Sequence, residues 1–108
     1  MSMKPSEYFA RNVWVGCSAL PDEDTTQSYY DIGIGRILWG TDYPHPEGTW
    51  PNTSDKMLAS LGGLPDDDIR RMLGGNALEV YDVDADALWA IAERIGPRRE
   101  SFVKEAAE

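Results

Sequence analysis

The 108-residue chain has one cysteine, one histidine and few cations: 10 lysines and arginines stand against 19 aspartates and glutamates. A lone cysteine, Cys17, excludes an intrachain disulfide and is the usage expected in the cytoplasm. A lone histidine, His45, excludes an H-x-H metal-binding pair. The formal charge of -9 argues against nucleic acid or an anionic membrane surface as partner, since both would repel it. No run of about 18 apolar residues is present, so no helical membrane span is expected. The opening MSMKPSEYFARN also has no apolar signal-peptide core.

What remains is ordinary globular composition, 42% hydrophobic and 27% charged, enough for one small domain with a modest core. The acidic runs PDEDTT (21–26) and PDDD (65–68) read as solvated loops and helix starts. Two segments read as buried strands: NVWVGCSAL (12–20) and RILWGT (36–41), both apolar on two faces as in a helix-covered parallel sheet. A short helix over about 24–32, ended by Gly33 and Gly35, would join them into one βαβ unit.

Beyond Pro51 the pattern becomes helical. Thr53 or Ser54 is expected to cap a helix with Met57, Leu58 and Leu61 on one face, stopped by Gly62 and Gly63. Asp66 is expected to cap a second, with Ile69, Met72 and Leu73 as its stripe and Gly74 and Gly75 as its end. Asn76 would then cap ALEVY, and Asp84 would open ADALWAIAERI with Leu88, Ile91, Ala92 and Ile95 turned inward, before Gly96 and Pro97. RRESFVKEAAE reads as a polar C-terminal helix or tail. The chain thus divides into residues 1–51, with the strands and their intervening helix, and residues 52–108, a helical segment of the same domain.

Chemistry concentrates where the second strand ends, in WGTDYPHPEGTWP (39–51). In parallel α/β folds the carboxyl ends of strands collect functional groups. Asp42 is therefore a candidate metal ligand or general base, or else a turn aspartate bonding the backbone before Pro44. Pro44 and Pro46 fix φ and stiffen the exit. Cys17, inside the first strand, reads as a small buried hydrophobe.

ILWGTDYPHPEGTWP, followed by LGGLPDDDIRRMLGGNALEVYDVD, resembles the C-terminal part of the amidohydrolase-related metal-dependent hydrolases, the group that includes aminocarboxymuconate-semialdehyde and resorcylate decarboxylases. KPSEYFARNVWVG is similar to the segment leading into that family's seventh strand, so the likeness runs from Lys4 to about Gly96. The resemblance implies an α/β fold, the C-terminal fragment of a (β/α)8 TIM barrel with about two parallel strands followed by several helices. It further implies one divalent metal, commonly zinc, held by residues after several strands, and a small organic acid or amide as substrate. Carried across, the last ligand and catalytic proton acceptor falls on Asp42. His45, whose position is variable in the family, is a candidate substrate contact or a loop-surface residue; Trp50, with Tyr43 and Glu47, is a candidate for the pocket mouth or else packs the loop against the barrel rim.

A catalytic zinc site takes about three protein ligands and a (β/α)8 barrel about 250 residues, so this stretch is expected to be inactive alone. The expectation is that the rest of the barrel lies upstream or that the gene is split or decayed. The alternative is a non-catalytic, helix-rich interaction module that self-associates through its exposed strand edges.

Overall fold

The computed structural model describes residues 2–18 and 26–102. Its first element is a helix that the strand pattern does not announce, α1 (Pro5–Asn12). Pro5 at the first turn needs no hydrogen-bonded N–H, the Glu7 carboxylate accepts the Lys4 N–H, and Arg11 complements the last turn. The helix consumes the start of the expected first strand, because Asn12 is its last residue. Strand β1 is confined to Val15–Cys17, while residues 19 and 20 lie outside the described residues.

Strand β2 (Ile37–Trp39) pairs parallel to β1 in the register Val15 to Ile37, Gly16 to Leu38 and Cys17 to Trp39. A hydrogen bond from the Gly40 N–H to the Cys17 carbonyl, 2.9 Å, carries the pairing one step further. Helix α2 (Thr26–Ile32) lies on the connection between the strands, as the βαβ reading requires; the expected start at Asp24 falls outside the described residues. Gly33, with φ of 100°, turns the chain from α2 into a 3-10 turn (Ile34–Arg36) that delivers β2.

The pleat decides which side of this ribbon is covered. Ile37 is fully buried, and Trp39 and Cys17, of the same parity, pack on the same core. That core contains Tyr29 of α2, Met57 and Leu61 of α3 (Thr53–Leu61), Ile69 of α4 (Asp66–Arg70), Met72 and Phe102. On the other parity Gly16 is exposed and Leu38 is half-buried, so the helices crowd one face of the sheet.

Several expected helix boundaries move. Thr53 is the first residue of α3 and Asn52 precedes it, with no side-chain cap; Pro65, not Asp66, holds the cap position of α4. In α4 the three aspartates of the first turn supply favourable charge at the helix start, and this does not require any of them to cap it. Gly74 and Gly75 do not end the second helix. The chain passes from α4 through a π turn (Arg71–Gly75) straight into α5 (Asn76–Tyr81). Glycine ends a helix by turning left-handed, but Gly75 stays right-handed at φ -57° and ψ -43°. The left-handed end comes later, at Asp82 with φ of 42°.

Asn76 explains why the helix runs on. It is not a cap: its backbone is helical and its side chain is fully buried. The amide nitrogen donates to the carbonyls of Ile34, at 2.7 Å, and Ile37, at 2.8 Å. It thereby ties α5 to two backbone acceptors at the entry to β2, of which the Ile34 carbonyl also accepts the Ile37 N–H. The wide π turn aims this side chain at the strand.

Helix α6 (Ala85–Ile95) begins as expected, with the Asp84 carboxylate accepting the Ala87 N–H at 3.0 Å. Its apolar face does not turn inward, however. Leu88, Ile91 and Ile95 are 46%, 45% and 73% exposed, and the helix has no buried residue. The spacing made the helix amphipathic, but the core is already closed by Phe102, which leads back onto α3 in a 3-10 turn (Arg99–Phe102). Of the expected C-terminal helix or tail, residues 103–108 lie outside the described residues.

Candidate functional site

Past Trp39 the chain leaves β2 at its carboxyl end through Gly40 and Thr41 and reaches Asp42 in the left-handed region, φ of 56°. Among residues with a side chain, Asp and Asn tolerate this conformation best. The turn is closed by its own backbone: the Asp42 carbonyl accepts the His45 N–H at 2.8 Å, and the His45 carbonyl accepts the Gly48 N–H at 2.9 Å. The Tyr43–Pro44 and Trp50–Pro51 peptide bonds are cis.

Gly48 is the pivot of this loop. A Cβ there would stand 2.7 Å from the Thr41 carbonyl oxygen and 3.0 Å from those of Asp42 and His45, so three carbonyls converge on a space only glycine leaves open. Thr49 then anchors the return. It is 1% exposed, its N–H donates to the Thr41 carbonyl at 2.9 Å, and its hydroxyl lies 3.2 Å from that of Thr53 at the start of α3. The Lys56 ammonium donates to the Gly48 carbonyl at 3.4 Å. The loop is therefore tied at both ends, to β2 and to α3.

The result is to bring Asp42 and His45 together. Their Oδ2 and Nδ1 atoms are 3.3 Å apart, and each side chain is a little over half exposed. The Glu47 N–H also approaches Nδ1, at 3.4 Å. One ring nitrogen cannot donate and accept at once. Protonated, Nδ1 donates to the Asp42 carboxylate; unprotonated, it accepts from Glu47. A carboxylate and an imidazole in this relation can exchange a proton with a group above them.

Trp50 is brought to a different partner. Its ring meets that of Tyr43 edge to face, centroids 5.8 Å apart at 73°. Both rings are about two-thirds exposed, and with Thr41 and Thr53 they line an open depression of about 380 Å³. Asp42 is not among its lining residues. The expected site thus resolves into an Asp42–His45 pair and a Tyr43–Trp50 aromatic wall on the same loop. Cys17 stays within β1, half-buried, and burial pushes its thiol pKa up, which suits a packing role.

Asp42 is a suitable hard oxygen donor for a divalent cation. No group of three His, Cys, Asp or Glu side chains converges among the described residues.

Residues 9–83, more than half of the chain, match the profile of the family described as amidohydrolase. This chain belongs to the amidohydrolase family. Amidohydrolases generally bind divalent metals and act on small molecules. The match spans both strands and the Asp42 loop and ends just before α6. No curated protein and no solved structure matches the chain. Among the described residues no helix is long and apolar enough to cross a membrane.

The sequence pattern singled out Asp42, His45 and Trp50 but missed Thr41, Gly48 and Thr49, the residues that shape the loop, and took Asn76 for a helix cap. Gly48 had a visible signal, a glycine between a proline-rich turn and a helix start. A buried asparagine reaching back some 40 residues in sequence leaves none.

Proposed function

We propose that this chain is the C-terminal sector of a (β/α)8 barrel in a metal-dependent amidohydrolase-family hydrolase or decarboxylase, related to the aminocarboxymuconate-semialdehyde decarboxylases. Its substrate is a small organic acid or amide. The observation that carries this reading is Asp42, at the carboxyl end of a parallel strand, beside His45 and inside the family match.

The pleat supports the same reading. Leu38 alternates with the core-facing Ile37 and Trp39, on the side of β2 away from the main core. In a barrel, helices cover one face of each strand and the lumen lies on the other. Further barrel strands would also cover the two ribbon edges that are unpaired among the described residues.

In this assignment Asp42 contributes one oxygen ligand to a divalent centre, zinc in the commonest case, whose remaining ligands belong to other strands. Its carboxylate accepts a proton at Oδ1 or Oδ2, and His45 holds Oδ2 in place. Tyr43 and Trp50 form the wall against which the apolar part of a substrate lies. Alone, the chain has one or two of the groups needed and does not turn over substrate. Translation of the DNA upstream of the Met1 codon tests this directly. An in-frame H-x-H after an apolar strand supports the reading; an upstream region without a frame able to encode barrel strands contradicts it.

A further inference from the structure

We propose that Thr49 is a positioning residue for Asp42: its hydroxyl, set between the Thr41 carbonyl and the Thr53 hydroxyl, holds Asp42 in the left-handed region and so fixes the place of its carboxylate. Asp42 and Asp82 are the non-glycine residues with positive φ among the described residues, at 56° and 42°. Asp82 stands where α5 ends, a common place for a left-handed residue. Asp42 has no helix to end, so the bonds around it must supply what the conformation costs. That cost is of the size that one hydrogen bond returns. Return to the right-handed region is a change of about 120° in φ, which would carry the carboxylate off His45.

The bonds divide by the side of Asp42 on which they act. After it, the Asp42 carbonyl accepts the His45 N–H and the Tyr43 N–H donates to Thr41 Oγ1, at 3.2 Å. Before it, the Thr41 carbonyl belongs to the peptide unit that leads into Asp42, so its direction sets the plane from which φ is measured. Thr49 gives this carbonyl two donors, the N–H at 2.9 Å and the hydroxyl at 3.4 Å. A hydroxyl has one proton. With the Thr49 proton on the Thr41 carbonyl, the Thr53 hydroxyl donates to Thr49 Oγ1 over 3.2 Å. The relay thus runs from the first turn of α3 to the peptide before Asp42. Thr49 is 1% exposed, so solvent has no access to replace its hydroxyl. What Asp42 does once positioned rests on the metal-dependent reading above; the hold of Thr49 on its backbone does not.

The test is NMR of the full chain. Positive φ shortens the distance from HN to Hα and gives a strong NOE within the residue; Asp42 should show one, with Asp82 as reference in the same molecule. Thr49→Val keeps the side-chain shape and the N–H bond. It should weaken the Asp42 NOE at least about twofold with that of Asp82 unchanged, and Thr49→Ser should keep full strength. Thr53→Val removes the donor behind Thr49 at a half-buried position and should act in the same direction, which carries the test should Thr49→Val not fold. An Asp42 NOE of full strength in either folded valine variant, or a weakened one in Thr49→Ser, would overturn the proposal. In the full-length barrel Thr49→Val should lower kcat about tenfold with KM within about twofold. Unchanged kcat beside a weakened NOE would uphold the hold of Thr49 and count against the catalytic reading of Asp42.

Discussion

In α3, Met57 and Leu61 are buried against Ile37, Ile69, Met72 and Phe102; in α6, Leu88, Ile91 and Ile95 have the same kind of spacing and remain in solvent. Both helices are amphipathic, and both end at a glycine whose N–H bonds back into the last turn. What separates them is attachment. Helix α3 is tied to the Asp42 loop through the Thr49–Thr53 hydroxyl contact and the Lys56–Gly48 bond, and the Phe102 segment returns onto it. Helix α6 follows a left-handed turn at Asp82, and among the described residues its side-chain hydrogen bonds stay within residues 84–93. An apolar stripe specifies which face of a helix will be buried, but not by what.

The contrast can be broken by substitution, and the largest effect is expected at Asn76. Asn76→Ala removes the side chain that donates to both the Ile34 and the Ile37 carbonyls and should lower the unfolding free energy by about 3 kcal/mol in urea titration. Ile91→Ala, on the exposed stripe, should change the monomer's stability by no more than about 0.5 kcal/mol. Equal effects at the two positions would erase the distinction between the regions.

Alkaline pH probes the buried side. Burial raises the Tyr29 phenol from 10.0 to about 12 in the folded chain, with the Cys17 thiolate charge as a lesser cause. A pKa raised on folding adds stability that is complete below pH 10 and is lost as pH rises through 10 towards 12. Thermal melts should therefore fall across that interval, and Tyr29→Phe should flatten part of the fall.

Gly48→Ala forces a methyl group against three carbonyl oxygens and should cost about 1–3 kcal/mol. Its signature would be displaced amide resonances in residues 41–49, with α6 unaffected. Smaller still, Asp84→Ala removes the α6 cap and should cost about 1 kcal/mol of local helix stability. Hydrogen exchange should quicken in residues 87–89 while the core stays protected.

The same contrast explains what could be read from the residues in advance. The parallel strand pair, the crossover helix and the Asp84 cap follow from local patterns: apolar runs closed by glycine, and an acid ahead of an alternating helix. The Asp42 loop was legible because its unusual residues are contiguous. Asn76 was misjudged because a local rule, asparagine after two glycines, was overruled by a tertiary bond to Ile34 and Ile37. The glycines themselves were overruled for the same reason, being wound into the π turn. Leu88, Ile91, Ala92 and Ile95 were assigned inward because spacing reports amphipathicity and carries no information about the partner. Helix α1 escaped notice because its few apolar residues continue into Val13 and Trp14, which read as strand.

Asp42 is the residue on which the functional account depends, and the direct measurement is turnover by the full-length barrel proposed above, with Asp42 intact and with Asp42→Asn. The account predicts a loss of at least about 10²-fold in kcat, the scale of a lost acid–base group, with the fold retained. Turnover within about twofold of the unsubstituted enzyme would contradict it.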